Sequence, residues 1–237
     1  MKTLGIIGGM GPLAGADLVR KIVLLTDASM DQEHIHVLLD SNPAIPDRTR
    51  AIVHGGPSPL PELRQSARRL VRAGADAIVM ACNTAHFYHE PLQASIKVPV
   101  LHMLRETALE VQRLGAEKVG LLATDGTVST GIYPEIFSEL GIEMIAPTPA
   151  GQRELMTLIY DDIKSGSFSM DTEILLQEFQ ALRRRGAELL ILGCTELSVA
   201  FEHYGWDIPA VDPMTVLAKT VIRRAGKRVK SGLPGSK

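Results

Sequence analysis

The chain has 237 residues, enough for one large domain or two small ones. A formal charge of −2 gives no electrostatic case for a nucleic-acid partner, and no apolar run approaches the ~18 residues of a membrane span. A hydrophobic content of 45% with only 4% aromatics means that Ala, Val, Leu and Ile build the core, as in α/β proteins.

Short β-branched runs predict strands over 3–8, 34–39, 77–81, 98–101, 118–122, 143–146, 189–193 and 209–211. Helical patterns fall between them, over 12–26, 60–72, 85–95, 104–114, 134–140, 151–165, 170–185 and 213–226. Alternation of this kind, with right-handed crossovers, gives parallel sheets with helices on both faces. The apolar run after Met1-Lys2 is too short for a signal peptide and continues into the fold as a strand and loop. The basic stretch from Arg223 to Lys237 ends in Gly and Pro and is read as a frayed helix and a solvated tail.

The two cysteines, Cys82 and Cys194, sit in two copies of one pattern. Residues 72–84 run Arg-Ala-Gly-Ala-Asp-Ala-Ile-Val-Met-Ala-Cys-Asn-Thr, and residues 184–196 run Arg-Arg-Gly-Ala-Glu-Leu-Leu-Ile-Leu-Gly-Cys-Thr-Glu. Gln65 and Gln177 keep the same offset. Leu4-Gly5-Ile6-Ile7 resembles Val119-Gly120-Leu121-Leu122, and Val98-Pro99-Val100 resembles Ile208-Pro209-Ala210. The chain therefore reads as two similar doubly wound domains with parallel sheets, related by a pseudo-two-fold duplication. The joint falls near residue 101. The last helix is expected to return to the first domain, giving 1–101 plus 212–237 and 102–211. Ligands of such sheets bind beyond the carboxyl ends of the strands, so the site is expected in the cleft where the two sets of strand ends face each other. Two thiols facing one site suit symmetric chemistry, such as moving a proton from one face of a carbon to the other. With no export signal, the cysteines imply a reducing cytoplasm and free thiols; a structural disulfide is the alternative.

Each cysteine ends a strand at or near a helix N-terminus, where the dipole and free N–H groups are expected to lower its pKa. Asn83 and Thr84 offer donors for a carboxylate and Thr195 mirrors them, although all three also suit helix capping. Thr124, Gly126 and Thr127 follow the first strand of the second half and could add donors; a plain turn explains them nearly as well. Gly9, Gly11 and Ala14 formally satisfy a dinucleotide glycine fingerprint, with Asp40 a late candidate for a ribose. Pro12 fits a first helical turn and Met10 intrudes where a pyrophosphate would lie, so the loop is read as a wall of the site. Residues 42–50 form a rigid loop whose Arg48 could fork onto a carboxylate or face solvent. Lys164 closes a helix, where it could simply complement the dipole. The pairs His34/His36 and His86/His89 add no third ligand at metal-site spacing, so no metal is expected, and His86 is expected to pack beside the cysteine loop.

These residues resemble the cofactor-independent aspartate/glutamate racemase superfamily, and most closely its aspartate racemase branch. The resemblance rests on Gly8-Gly9-Met10-Gly11-Pro12, residues 42–49 (Asn-Pro-Ala-Ile-Pro-Asp-Arg-Thr), Cys82-Asn83-Thr84-Ala85-His86 and Gly193-Cys194-Thr195-Glu196-Leu197. It covers nearly the whole chain. Glutamate racemases have Asp-Ser-Gly after the first strand and His after Cys-Thr, where this chain has Gly9-Met10-Gly11 and Glu196. The resemblance implies an isomerase that racemises aspartate without pyridoxal phosphate, metal or other cofactor, in a cytoplasmic homodimer. Cys82 and Cys194 would be the two bases. Asn83, Thr84, Thr124, Thr127 and Thr195 would line the α-carboxylate and ammonium, with Met10 and Glu196 also against the substrate. Arg48 and Lys164 would take the side-chain carboxylate, and Asp47 would orient the Arg48 loop. The rival readings are a glutamate or broad-specificity racemase, a related hydantoin racemase or maleate isomerase, a non-enzymatic amino-acid-binding protein, and an NAD-dependent dehydrogenase.

Overall fold

A computed structural model describes residues 1–231, and in it the repeated Gly-Ala-acid triplets do one job twice. Gly74 and Gly186 adopt left-handed backbones (φ +99° and +100°), a region open to glycine at little cost, and so end the helices before them. The acids that follow then tie down the start of a neighbouring strand. Asp76 accepts the backbone N–H groups of Lys2 and Thr3 (2.7 and 2.9 Å), and Glu188 accepts those of Glu117 and Lys118 (2.9 and 3.0 Å).

In the first half, β1 (Thr3–Gly8) lies between β2 (His36–Ser41) and β3 (Ala77–Met80), all parallel. In the second, the order is β5 (Glu143–Ile145), β4 (Lys118–Leu122), β6 (Leu189–Leu192), β7 (Ala210–Val211), again parallel. The segment 98–101, expected as a strand, forms only a single bridge from Val100 to Ile78. It nonetheless occupies the place of β7: Ile78 N–H donates to Pro99 O (2.8 Å), as Leu190 N–H does to Pro209 O (3.0 Å). Pro99 and Pro209 cannot donate to a ladder, which suits these edge positions.

Three apolar clusters organise the layers. One lies between the sheets and joins Leu4, Ile6 and Leu18 to Val119, Leu121, Tyr133 and Phe137. Helices α1 (Pro12–Leu25), α5 (Met103–Leu114) and α11 (Pro213–Arg224) pack together there. Outer clusters lie beneath α3 (Leu60–Arg72) in the first half and α9 (Glu173–Arg184) in the second. β1, β3, β4 and β6 are thus buried on both faces, as parallel strands require.

Several elements differ from the sequence expectation. The stretch 85–95 is a 3₁₀ turn (Thr84–Tyr88) followed by the short α4 (His89–Gln93). The helix expected over 151–165 is α8 (Pro149–Thr157) continued by a π-helical turn (Leu158–Ile163). Two helices had no counterpart in the reading, α2 (Arg48–Val53) and α6 (Asp125–Thr130), while the helix expected to start after Cys194 is α10 (Thr195–His203). A short α7 (Ile132–Ser138) follows α6. The tail is not simply solvated. Val229 bridges Thr26, Asp27 N–H donates to Arg228 O (3.0 Å), and Lys230 N–H to Leu25 O (2.7 Å). The tail reading for residues 232–237 lies outside the described residues.

The duplication extends to side-chain packing. A Cβ at Gly5 would meet Ile78, Ala75 and Leu70 at 2.6, 3.0 and 3.1 Å; at Gly120 it would meet Leu190, Leu182 and Ala187 at 2.8, 3.3 and 3.5 Å. These are the same three sites in each repeat, where α3 or α9 presses onto its sheet. Overpacking at such a contact costs about 1–3 kcal/mol. Gly5→Ala and Gly120→Ala should each destabilise by about that amount in urea unfolding, and unchanged midpoints would contradict the shared packing.

Candidate active site

Cys82 follows β3 and Cys194 follows β6, the equivalent strands of the two sheets. Both are free thiols, buried at 5% and 6% exposure. Both line one small cavity, together with Met10, Asp47, Arg48, Asn83 and Thr84 from the first half and Thr124, Lys164, Thr195 and Glu196 from the second. Of the residues that the racemase resemblance assigned to the site, Thr127 alone is not at the cavity surface. It stands one layer back, its hydroxyl 2.7 Å from that of Thr84 and 3.2 Å from that of Thr124. The three threonines form a closed hydroxyl cluster, the remaining edge being Thr84 to Thr124 at 3.2 Å.

The cysteines differ in their surroundings. Cys194 caps α10, but its thiol donates to Glu196 Oε2 at 3.0 Å. Its pKa is well above the usual thiol value, contrary to the expected lowering. Burial is the largest cause and the Glu196 charge the next; the Lys164 charge and a bond from the Glu196 N–H pull the other way and are outweighed. Cys82 is followed by a 3₁₀ turn rather than an α-helix, and it lies near the Arg48 charge.

Arg48 is not the solvent-facing arginine that its loop composition allowed. It begins α2, whose N-cap Asp47 accepts Arg50 N–H at 2.7 Å, and it is 7% exposed. Its guanidinium donates to Met10 O (2.8 Å) and Pro46 O (3.1 Å), while its buried Nε has no partner among the described residues. Burial disfavours its charge, yet Cys82, Asp47 and Glu196 nearby raise its pKa overall. Lys164 follows the π-helical turn, with Nζ 3.7 Å from Glu196 Oε1 and 4.7 Å from the centre of the Tyr160 ring. Its pKa is raised as well: burial opposes the charge, and Glu196 and Cys194 outweigh it. Glu196 is thus a hub, accepting from the Cys194 thiol, the Thr195 hydroxyl (3.1 Å) and the Gly11 N–H (3.3 Å), and pairing with Lys164.

Two lining residues were missed, Thr49 and Tyr160. Thr49 was inside a motif already singled out. Tyr160 stands four residues before Lys164, a spacing that stacks side chains on one helix face and could have revealed it. Its hydroxyl donates to Asp47 at 3.1 Å, joining the two halves at the cavity. The glycine loop is a wall, as read. A Cβ at Gly9 would collide with the backbone of Asn42, and Asp40 is held by Arg69 at 2.8 Å rather than free for a ribose. His86 packs behind the cysteine loop, its Nδ1 2.9 Å from Cys82 O and its Nε2 accepting from Met103 N–H at 3.2 Å. Burial lowers its pKa to about 4, so it is a neutral strut at neutral pH.

The free space among these groups is about 10 Å³, the room that one water needs. In this arrangement the cavity is too narrow for an amino acid.

The family description Asp/Glu/Hydantoin racemase fits residues 7–221, and the chain belongs to that family of isomerases. A solved structure, the Picrophilus torridus aspartate racemase, is 34% identical with a TM-score of 0.85, and the match covers 97% of this chain and 96% of that one. The broad-specificity amino-acid racemase RacX of Bacillus subtilis is 29% identical over 227 residues, 92% of this chain and 96% of its own. A glutamate racemase of Pediococcus pentosaceus is 30% identical over 168 residues, 67% of this chain and 62% of its own. The α/β fold with parallel sheets matches that of the Picrophilus torridus aspartate racemase. No helix among the described residues is long and apolar enough to cross a membrane.

The carboxylate beside Cys194 gives a signed pH test. Glu196→Gln removes the negative neighbour, so the pH midpoint for alkylation of Cys194, followed by peptide mass mapping, should move down. An unchanged or raised midpoint would contradict the electrostatic account.

Proposed function

We propose that this protein interconverts L- and D-aspartate, with Cys82 and Cys194 transferring protons on opposite faces of the α-carbon. One thiolate takes the α-hydrogen: the C–H bond breaks and an S–H bond forms. The opposite thiol gives its proton to the other face and becomes the thiolate. The α-hydrogen of an amino acid is a poor acid, so the carbanion needs donors at the α-carboxylate. Asn83, Thr84, Thr124 and Thr195 supply them, and Thr127 orients Thr84. Arg48 and Lys164 receive the side-chain carboxylate, with Asp47 and Tyr160 holding the two halves together around it. Parting of the lining groups admits the substrate, and their return excludes water.

The reading rests chiefly on one observation: two thiols at equivalent strand ends line the same cavity as a partnerless Asn83 amide nitrogen and two cations. Ligand capture alone needs no such thiols. The same reading takes the chain as a cytoplasmic homodimer with domains 1–101 plus 212–237 and 102–211.

A second reading, broad specificity, is favoured by how far the two cations are already satisfied. Arg48 donates to backbone carbonyls and Lys164 faces Glu196, which lessens the demand for a substrate carboxylate.

Purified protein without added cofactor should abolish the optical rotation of L-aspartate, and chiral chromatography over a panel of amino acids ranks the substrates. Arg48→Ala and Lys164→Ala should each raise KM for aspartate on the order of tens-fold, because a desolvated carboxylate loses its partner. Wild-type KM in both variants, with comparable turnover of apolar amino acids, would favour the broad reading instead.

A further inference from the structure

Asn83 Oδ1 accepts a hydrogen bond from the Tyr133 hydroxyl at 2.6 Å. The pair crosses between the halves. Asn83 follows Cys82 in the first, and Tyr133 sits on α7 in the second, its ring packed beside Phe137 at 5.6 Å between centroids. Both residues are almost wholly buried, at 1% and 0% exposure. Burial, with the charges of Asp212 and Cys194, holds the Tyr133 pKa well above the usual phenol value, so the hydroxyl keeps its proton. Among the described residues Asn83 Oδ1 is its only hydrogen-bond partner.

A side-chain amide is planar, with an acceptor at one end and two protons at the other. When Oδ1 is turned to Tyr133, Nδ2 has to point the other way. Asn83 lines the cavity, and its Nδ2 is buried without a partner among the described residues. A buried donor of this kind is costly unless something accepts from it. The amide is close to symmetric in shape, so packing alone does not choose between its two orientations. Flipped, it would present Oδ1 to a bound carboxylate and repel it.

We propose that Tyr133 is a positioning residue for the racemase reaction: by donating to Asn83 Oδ1 it fixes the amide with Nδ2 facing the α-carboxylate of the substrate. The inference rests on the proposed role of Asn83 and adds the residue that makes the role possible. Tyr133 touches no reacting atom. Its contribution is orientation of a donor that strengthens its bond as charge develops on the carboxylate.

Tyr133→Phe keeps the ring and removes the bond. Losing an oriented donor to a charged group corresponds to about tenfold to a hundredfold in kcat/KM. The test is a cycle of Tyr133→Phe, Asn83→Ala and the double variant. In the wild-type background Tyr133→Phe should lower kcat/KM for aspartate about tenfold or more. In the Asn83→Ala background it should lower it less than about twofold. Equal losses in both backgrounds would mean a merely structural Tyr133 and would overturn the inference while leaving the Asn83 role standing. Full activity of Asn83→Ala alone would instead remove that role and the inference with it. A second readout needs no variant to fold with Phe at 133. In ¹⁵N-labelled wild-type protein, saturating racemic aspartate should shift both Asn83 side-chain amide protons, and amide protons that do not respond to the bound substrate would also overturn the inference.

Discussion

Two thiols from different parts of a chain can face one small volume only if the strands that carry them end at matching depths. Here that depth is set by glycine. With no Cβ at Gly5 or Gly120, the residues of the repeat close onto the first strand of each half, Ile78 and Leu190 at the same place in each. Asp76 and Glu188 then fasten the strand starts through paired backbone hydrogen bonds. The cysteine loops emerge from this frame in equivalent places. The apolar layer shared by α1, α5 and α11 holds the two frames against each other. The positions of catalytic groups thus trace back to tight packing far from the chemistry.

Within that symmetric frame the electrostatics are asymmetric. The Cys194 thiol donates to the Glu196 carboxylate, and Cys82 lies near the Arg48 charge. Burial and the Glu196 charge both disfavour the Cys194 thiolate. The proposed reaction asks each sulfur to act once as acid and once as base. In the proposed reaction the Cys194 thiolate therefore has to become easier to form when substrate binds. A dicarboxylate between Lys164 and Arg48 would alter the charge at both sulfurs, so substrate binding and proton transfer are coupled through the same few side chains.

Much of the frame was legible in the sequence because it is repeated. The Gly-Ala-acid triplets, the first-strand pairs and the Pro-containing edge segments all matched, and all have matching contacts. The cysteine loops and their polar followers were legible for the same reason. The short helices were not. α2 and α6 are only six residues long, and α6 is rich in Thr, Gly and Ser, which also read as turns, so tertiary packing decides for them. The sign of the Cys194 shift was hidden too. A helix N-terminus argues for a lowered pKa, and only the side-chain direction of Glu196 reverses it. Tyr133 lay outside any motif that carried chemistry by itself, since its role exists only through Asn83, whereas Thr127 was read as a donor and stands one layer behind Thr84.

The central claim is that two thiols share one α-carbon, each from its own side. Cys82→Ser and Cys194→Ser, incubated separately with L- and D-aspartate in heavy water, test it most directly through α-deuterium uptake followed by NMR. Losing a positioned acid or base costs roughly 10²–10⁴-fold in rate, so neither variant should racemise well. Residual exchange should show opposite enantiomer preferences in the two variants, because each retains the base for one face. Full racemisation by either variant, or the same enantiomer preference in both, would contradict the two-thiol account.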